Sequence, residues 1–299
     1  MLEKNVLVVG GLGFVGSALS IRLLELKFSV TILDNMSNNG VCSIAGCNVV
    51  CGESSDINAI FHKQYFDIIF HLGEYSRVEK SFRDEDVVFR YNRNCFYEVL
   101  NFAKNKGAKL IYSGSSTKFG DGGDNRFASP YALTKYQNTE LLLCFAKWHG
   151  LDFAIAYFYN VYGPGENGST SHGTVVQKFI QMVEQGAKTL PVTSPGTQER
   201  NFTHIDDTVD ALILIAQKGS GDGYGIGSPT KYTILELVSL LGCTPNMQPE
   251  KKGNRLFADL VTEKTAALGW SPKLDLKKYI NDSIKNTNLR RILKCKDTK

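Results

Sequence analysis

Runs of branched and aromatic residues recur along this chain, separated by stretches whose apolar positions fall every three or four residues. NVLVV (5–9), SVTILD (29–34), NVVCGE (48–53), DIIFHL (67–72), KLIYSG (109–114) and DFAIAYFY (152–159) are nearly continuous in β-favouring residues, as strands buried on both faces of a parallel sheet are. Between them, SALSIRLLELK (17–27), VVFRYNRNCFYEVLNFAKNK (87–106) and YALTKYQNTELLLCFAKWHG (131–150) carry helical periodicity, and the last ends on Gly150 as a C-cap would. The alternation predicts an α/β fold built on a doubly wound parallel sheet of the Rossmann kind.

The texture changes after Asn160. GPGENGSTSHG (163–173) is a polar, glycine-rich loop, followed by an amphipathic stretch VVQKFIQMVEQG (175–186), the loop VTSPGTQERN (192–201) and a short strand FTHI (202–205). A helix over 206–219 opens on Asp206 and Asp207, which suit a helix N-terminus. Helical patterns at 233–242 and from Lys277 onward complete a smaller C-terminal α/β lobe. The predicted division assigns 1–160 plus 202–226 to the sheet domain and 161–201 plus 227–299 to the lobe. Ligands of such folds bind at the carboxyl edge of the sheet.

Composition narrows the class. The 299 residues are 42% hydrophobic and 21% charged, enough to bury a substantial core. The 34 basic and 30 acidic residues are dispersed, which suits neither a nucleic-acid arm nor a membrane anchor, and a small-molecule ligand is expected. The apolar run near the start is too short to span a membrane, so the chain reads as soluble and cytoplasmic. Seven cysteines without CxxC spacing read as thiols in a reducing compartment. The five histidines are scattered outside any metal-binding spacing, and no GxSxG elbow occurs, so no metal site is expected. Arg290 to Lys299 reads as a frayed, solvated end.

Two motifs carry chemistry. GGLGFVG follows the first strand and opens the first helix, spacing Gly10, Gly13 and Gly16 for a tight turn, close approach of a pyrophosphate, and close helix packing. Asp34 ends the second strand, where a carboxylate can accept from both ribose hydroxyls; it would repel the extra phosphate of NADP, and no arginine follows in DNMSNN (34–39). NAD is the expected cofactor, with Asp34 as a helix cap the plainer alternative. Asp56 and Ile57, after the third strand, are candidates to grip the adenine. The second motif is YALTK (131–135), which sets Tyr131 and Lys135 one turn apart on one helix face. A cation beside a phenol favours the phenolate and makes it a usable base, while an exposed helix with an unrelated Tyr and Lys is the alternative.

These motifs, with HLG (71–73), SGSSTKFG (113–120), YFYNVYGP (157–164), RNFTHIDD (200–207) and LGW (268–270), resemble the extended short-chain dehydrogenase/reductases and, among them, the nucleotide-sugar 4-epimerases such as UDP-glucose 4-epimerase. The resemblance implies a catalytic set of Ser115, Tyr131 and Lys135. It assigns to NAD, besides the glycines, Asp34, Asp56 and Ile57, the residues Phe14, Val15, Asn35, Leu72, Gly73, Asn92, Ser113 and Tyr159, with Tyr131 and Lys135. It assigns to the substrate Asn160, Thr174, Val175, Arg200 and Lys251, with Ser115 and Tyr131. The implied substrate is a nucleoside-diphosphate sugar, a UDP-sugar first, in carbohydrate metabolism such as cell-surface polysaccharide synthesis. The implied assembly is a homodimer paired through helices at 87–106 and 131–148.

In the implied reaction Tyr131 takes the proton of the sugar 4-hydroxyl, Ser115 donates to the developing oxygen, and the 4-keto sugar turns about its diphosphate before reduction on its other face. The sequence departs from the family pattern at four places. Ser116 and Thr117 stand where dehydratases and decarboxylases carry an acid, which argues against elimination. The usual HLAA is HLGE, placing Glu74 where alanine is common. Lys251-Lys252-Gly253-Asn254 replaces Arg-x-Gly-Asp, and Asn92-Arg93-Asn94-Cys95-Phe96 keeps only the asparagine of its motif. A C4 dehydrogenase or ketoreductase, and an NAD-binding scaffold without chemistry, are the competing readings.

Overall fold

The apolar runs form strands that pair in register. A computed structural model describes residues 4–37, 42–166 and 173–285. In it β1 (Asn5–Val9), β2 (Ser29–Asp34), β3 (Asn48–Cys51), β4 (Ile68–His71), β5 (Lys109–Ser115) and β6 (Phe153–Phe158) are joined by the two-residue β7 (Val161–Tyr162), by β8 (Thr189–Thr193), β9 (Glu199–Asn201) and β10 (Thr203–His204), and by β11 (Gly221–Ile226). Seven of these make one sheet in the order β11-β6-β5-β4-β1-β2-β3, with every neighbouring pair parallel. The direction of winding reverses between β1 and β4, which opens a crevice at their carboxyl ends. β11 is a strand that the hydrophobic pattern does not announce, because GDGYGI is half glycine.

Helices α1 (Phe14–Glu25), α2 (Ile57–Ile60), α3 (Glu85–Phe89), α4 (Cys95–Lys106) and α5 (Pro130–His149) connect the strands. Between α3 and α4 the backbone is π-helical over Arg90–Asn94, so the predicted helix 87–106 is one rod with a widened turn. α5 begins where Ser129 accepts a hydrogen bond from Ala132 N at 3.1 Å and Pro130 takes the first turn, and it ends on left-handed Gly150. The expected strand 202–205 is cut to Thr203–His204, because His204 caps α7 (Ile205–Lys218) through its ring.

Three cores hold these elements. One lies under each face of the sheet, centred on Leu19, Ile32 and Leu212 on one side and on Leu7, Phe102 and Tyr157 on the other. The third joins α6 (Val175–Glu184), β8, α8 (Ile234–Leu240) and the helical residues 276–285. Two short pairs brace this lobe: β12 (Lys231–Thr233) against β9, and β13 (Thr244–Gln248) against β8. Ala258 and Trp270 return to the two sheet cores around α9 (Glu263–Ala267). The lobe's chain therefore crosses back over the sheet edge and closes a cleft there. No described helix is long and apolar enough to cross a membrane. Residues 38–41, 167–172 and 286–299 lie outside the described residues, and with them part of the DNMSNN segment, most of the polar loop including His172, and the tail.

Candidate active site

At the crevice the backbone comes so close that glycine is required. Gly10 has φ +76°, and a Cβ there would sit 2.5 Å from Gly73 Cα; a Cβ on Gly16 would sit 2.2 Å from Gly10 O. Gly13 differs, since the nearest atom to a Cβ built on it is 3.4 Å away, an ordinary contact. The fold itself does not exclude a side chain at Gly13, but that side chain would occupy the space in front of the first N–H groups of α1, where a pyrophosphate binds. Asp34 accepts from Leu12 N at 2.9 Å and from Met36 N at 2.8 Å, so its carboxylate is fixed at the end of β2 with lone pairs still open to a diol. Asn35, Leu72 and Gly73 line the same cavity, of about 440 Å³. These residues fit a dinucleotide.

A second cavity of about 560 Å³ continues past Gly13, Phe14, Val15 and Gly16 to the ends of β5 and α5. Ser115 closes β5 and Tyr131 opens α5, and their hydroxyls meet at 3.1 Å. Thr117 Oγ1 also donates to Ser115 Oγ, at 2.9 Å. Lys135, one turn along, is buried, and its Nζ donates to Ser113 O at 2.5 Å. Helical spacing therefore does bring the phenol and the ammonium to one wall, facing a serine delivered by a strand.

Glu74 meets that wall from the β4 side. Its Oε2 lies 2.5 Å from Lys135 Nζ, with both side chains almost fully buried (2% and 6% exposed). Tyr112 OH donates to Oε2 at 3.1 Å and Asn138 Nδ2 to Oε1 at 2.9 Å. His71 Nε2 is 3.3 Å from Oε1, without an aligned hydrogen bond. Burial works against the charged carboxyl, but Lys135 and His71 outweigh it and hold Glu74 below the usual carboxylate range.

The far end of the larger cavity is basic. Arg200 lines it, and burial, followed by the nearby Arg255 guanidinium, lowers its pKa to about 9. Arg200 also staples the lobe, donating to Asn254 Oδ1 at 3.1 Å and Arg255 O at 2.8 Å. Lys251 sits on the rim, its charge shared with Glu79 at 2.9 Å. Asn160 and Thr174 line the cavity; Thr174 is held by Glu166, whose carboxylate accepts from Thr174 N and from Oγ1 at 2.8 Å.

Five expected site residues fall outside both cavities. Asp56 is exposed on a 3₁₀ turn, and that turn sends Ile57 wholly into the core beneath the sheet. Asn92 is buried and ties the π-helical turn to Tyr75 N at 2.7 Å and to Thr134 Oγ1 at 3.0 Å. Tyr159 is buried, bonded to Asp259 O at 2.6 Å, and so joins sheet to lobe. Val175 packs against the third core. Two arginines that sequence reasoning did not single out do line the cavity: Arg77, and Arg255, whose Nη1 donates to Ser116 Oγ at 3.0 Å. Neither forms a salt bridge among the described residues. Arg255 follows directly on the Lys251–Asn254 departure, the one signal that pointed near it.

The model of the NAD dependent epimerase/dehydratase family matches residues 6–227. The chain belongs to that family. NAD is accordingly its cofactor, and it is an enzyme of the extended short-chain, nucleotide-sugar kind. Among solved structures, UDP-glucose 4-epimerase of Thermotoga maritima with UDP-glucose is similar at 26% identity and TM-score 0.87, covering 97% of this chain and 99% of that one. The Thermus thermophilus UDP-glucose 4-epimerase complex with NAD is similar at 25% identity and TM-score 0.84, covering 95% and 99%. UDP-glucuronic acid decarboxylase 3 of Arabidopsis thaliana is 26% identical, over 92% of this chain and 86% of its own length. Relatives thus divide between epimerases and enzymes that go on to break a further bond.

Proposed function

We propose that this chain is an NAD-dependent nucleotide-sugar 4-epimerase. The observation that carries this reading is that hydroxyl side chains, and no carboxyl, follow Ser115 at the end of β5. Ser116 and Thr117, which follow Ser115, engage Arg255 and Ser115 through hydroxyls, so no carboxyl from that stretch can protonate a leaving group. Of the carboxyls that line the cavity, Glu166 has both oxygens committed to Thr174, Glu74 is paired with Lys135, and Glu79 with Lys251. Oxidation and reduction at one carbon remain.

Bound NAD supplies a reversible hydride acceptor. Gly13 and the N–H groups opening α1 hold its pyrophosphate, and Asp34 its adenosine ribose. Tyr131 takes the proton of the sugar 4-hydroxyl and later returns it, and Ser115 donates a hydrogen bond to the same oxygen. Lys135 fixes the geometry between Ser113 and the phenol. Arg200 takes the diphosphate, about which the keto sugar turns. A UDP-sugar is the first candidate because the Thermotoga relative binds UDP-glucose.

Incubation with a panel of UDP-, GDP- and dTDP-sugars, read by NMR and by absorbance of reduced cofactor, is expected to give C4 epimers with no net reduction. Stoichiometric NADH would make it a C4 dehydrogenase; carbon dioxide or a 4-keto-6-deoxy sugar would make it a decarboxylase or dehydratase. Calorimetry is expected to show NAD bound far more tightly than NADP, with Asp34→Ala narrowing the gap, since the carboxylate would otherwise face a phosphate. Equal affinities in the wild type would remove Asp34 from the ribose.

A further inference from the structure

The catalytic ammonium is not an isolated charge. Lys135 has three N–H donors, and its neighbours are Glu74 Oε2 at 2.5 Å, Ser113 O at 2.5 Å and, more loosely, Ser113 Oγ at 3.3 Å. Glu74 itself accepts hydrogen bonds from Tyr112 on β5 and Asn138 on α5, and His71 at the end of β4 lies 3.3 Å from its Oε1. Arg93 donates to Asn138 Oδ1 at 2.8 Å, which turns the amide so that its NH₂ faces Glu74. A carboxylate gripped this way cannot swing out to water as a surface group does.

We propose that Glu74 is a positioning residue for Lys135: it seats the ammonium against Ser113 and cancels most of its field at Tyr131. Burying such a pair gains a fold little compared with apolar side chains of similar size, so its main consequence is electrostatic. With Lys135 compensated, the other cations among the described residues that share the cavity with Tyr131 and act on its phenol are Arg77, which also feels the Glu166 carboxylate, and Arg255; the neutral Tyr112 phenol faces it as well. Ser115 completes its surroundings. The support for a phenolate therefore shifts from the lysine of YALTK toward the arginines of the sugar cavity.

This inference rests on Tyr131 being the base. The test is the pH profile of kcat/KM in the holoenzyme. Removing only the anion, in Glu74→Gln, leaves the ammonium uncompensated, so the acid limb is expected to move to lower pH by about one unit, a tenfold change. Removing only the cation, in Lys135→Met, leaves a buried anion, and the limb should move to higher pH. Glu74→Gln/Lys135→Met removes both, and its limb should return close to that of the wild type, although kcat stays low.

Ultraviolet difference titration of each protein against its Tyr131→Phe counterpart needs no turnover and should move in the same directions. A limb unmoved by Glu74→Gln, or a double variant that behaves as Lys135→Met, overturns the inference. If Glu74→Gln alone does not fold, the double variant, with no unpaired charge, still decides. Full activity of Tyr131→Phe would instead overturn the underlying reading, so the two failures are distinguishable.

Discussion

Tyr131→Phe is expected to keep the fold and the cofactor while turnover falls by about two to four powers of ten, the usual loss for a general base. The substitution removes one oxygen, whose hydrogen-bond partner here is Ser115 at 3.1 Å. Ser115 keeps Thr117 Oγ1 at 2.9 Å and Thr117 N at 3.3 Å, so no buried group is orphaned. The start of α5 rests on the Ser129 cap, which accepts from Ala132 N, and on Pro130 at the first turn. Melting temperature and calorimetric NAD affinity should therefore match the wild type, and the loss should fall on kcat rather than KM. Undiminished turnover would remove Tyr131 from the chemistry. A parallel loss of NAD binding would mean that the side chain supports the site's shape instead.

The parts of this molecule that were legible in its sequence are those in which one local rule decides. Continuous apolar runs placed six of the seven sheet strands. GGLGFVG placed the crevice, because Gly10 and Gly16 are demanded by backbone contacts that only glycine permits. The i, i+4 spacing of YALTK placed a phenol and an ammonium on one face. The seventh strand was not legible, because Gly221 and Gly223 weaken any strand signal and its pairing with β6 is fixed only by tertiary context.

Side-chain direction after a turn was less legible still. Ile57 follows its strand at a spacing that suits an adenine contact, yet the 3₁₀ turn over Ser54–Asp56 points it into the core. Arg255 shows the converse. Nothing local marks it, and it reaches Ser116 because Asp121 Oδ1 accepts from Leu256 N at 3.0 Å and Phe257 N at 3.2 Å, pinning the lobe's returning segment across the sheet edge. Such long-range hydrogen bonds leave no periodic trace. Glu74 lies between these cases: its identity stood out in HLGE, but its pairing with Lys135 needed β4, β5 and α5 in place together.

Ser115→Ala is expected to lower kcat by about two to three powers of ten, the range for losing one donor to a developing oxyanion. Here the loss has two physical parts. The hydroxyl that would bond the sugar oxygen is gone, and Tyr131 OH and Thr117 Oγ1 both lose their acceptor at the end of β5. Thr117 is buried, so its freed hydroxyl is drawn toward Tyr131 and mispositions the base as well. Ser115→Thr separates the parts from general damage, because it restores a hydroxyl at the same Cβ, and β5 is a strand, where a β-branched residue is well tolerated. Threonine should recover most of the activity, with KM for the sugar nucleotide raised modestly by the added methyl. Steady-state kinetics of both variants, alongside their melting temperatures, check this. If alanine and threonine lose equally, the position is one of tight packing, and the hydroxyl has no part in the reaction.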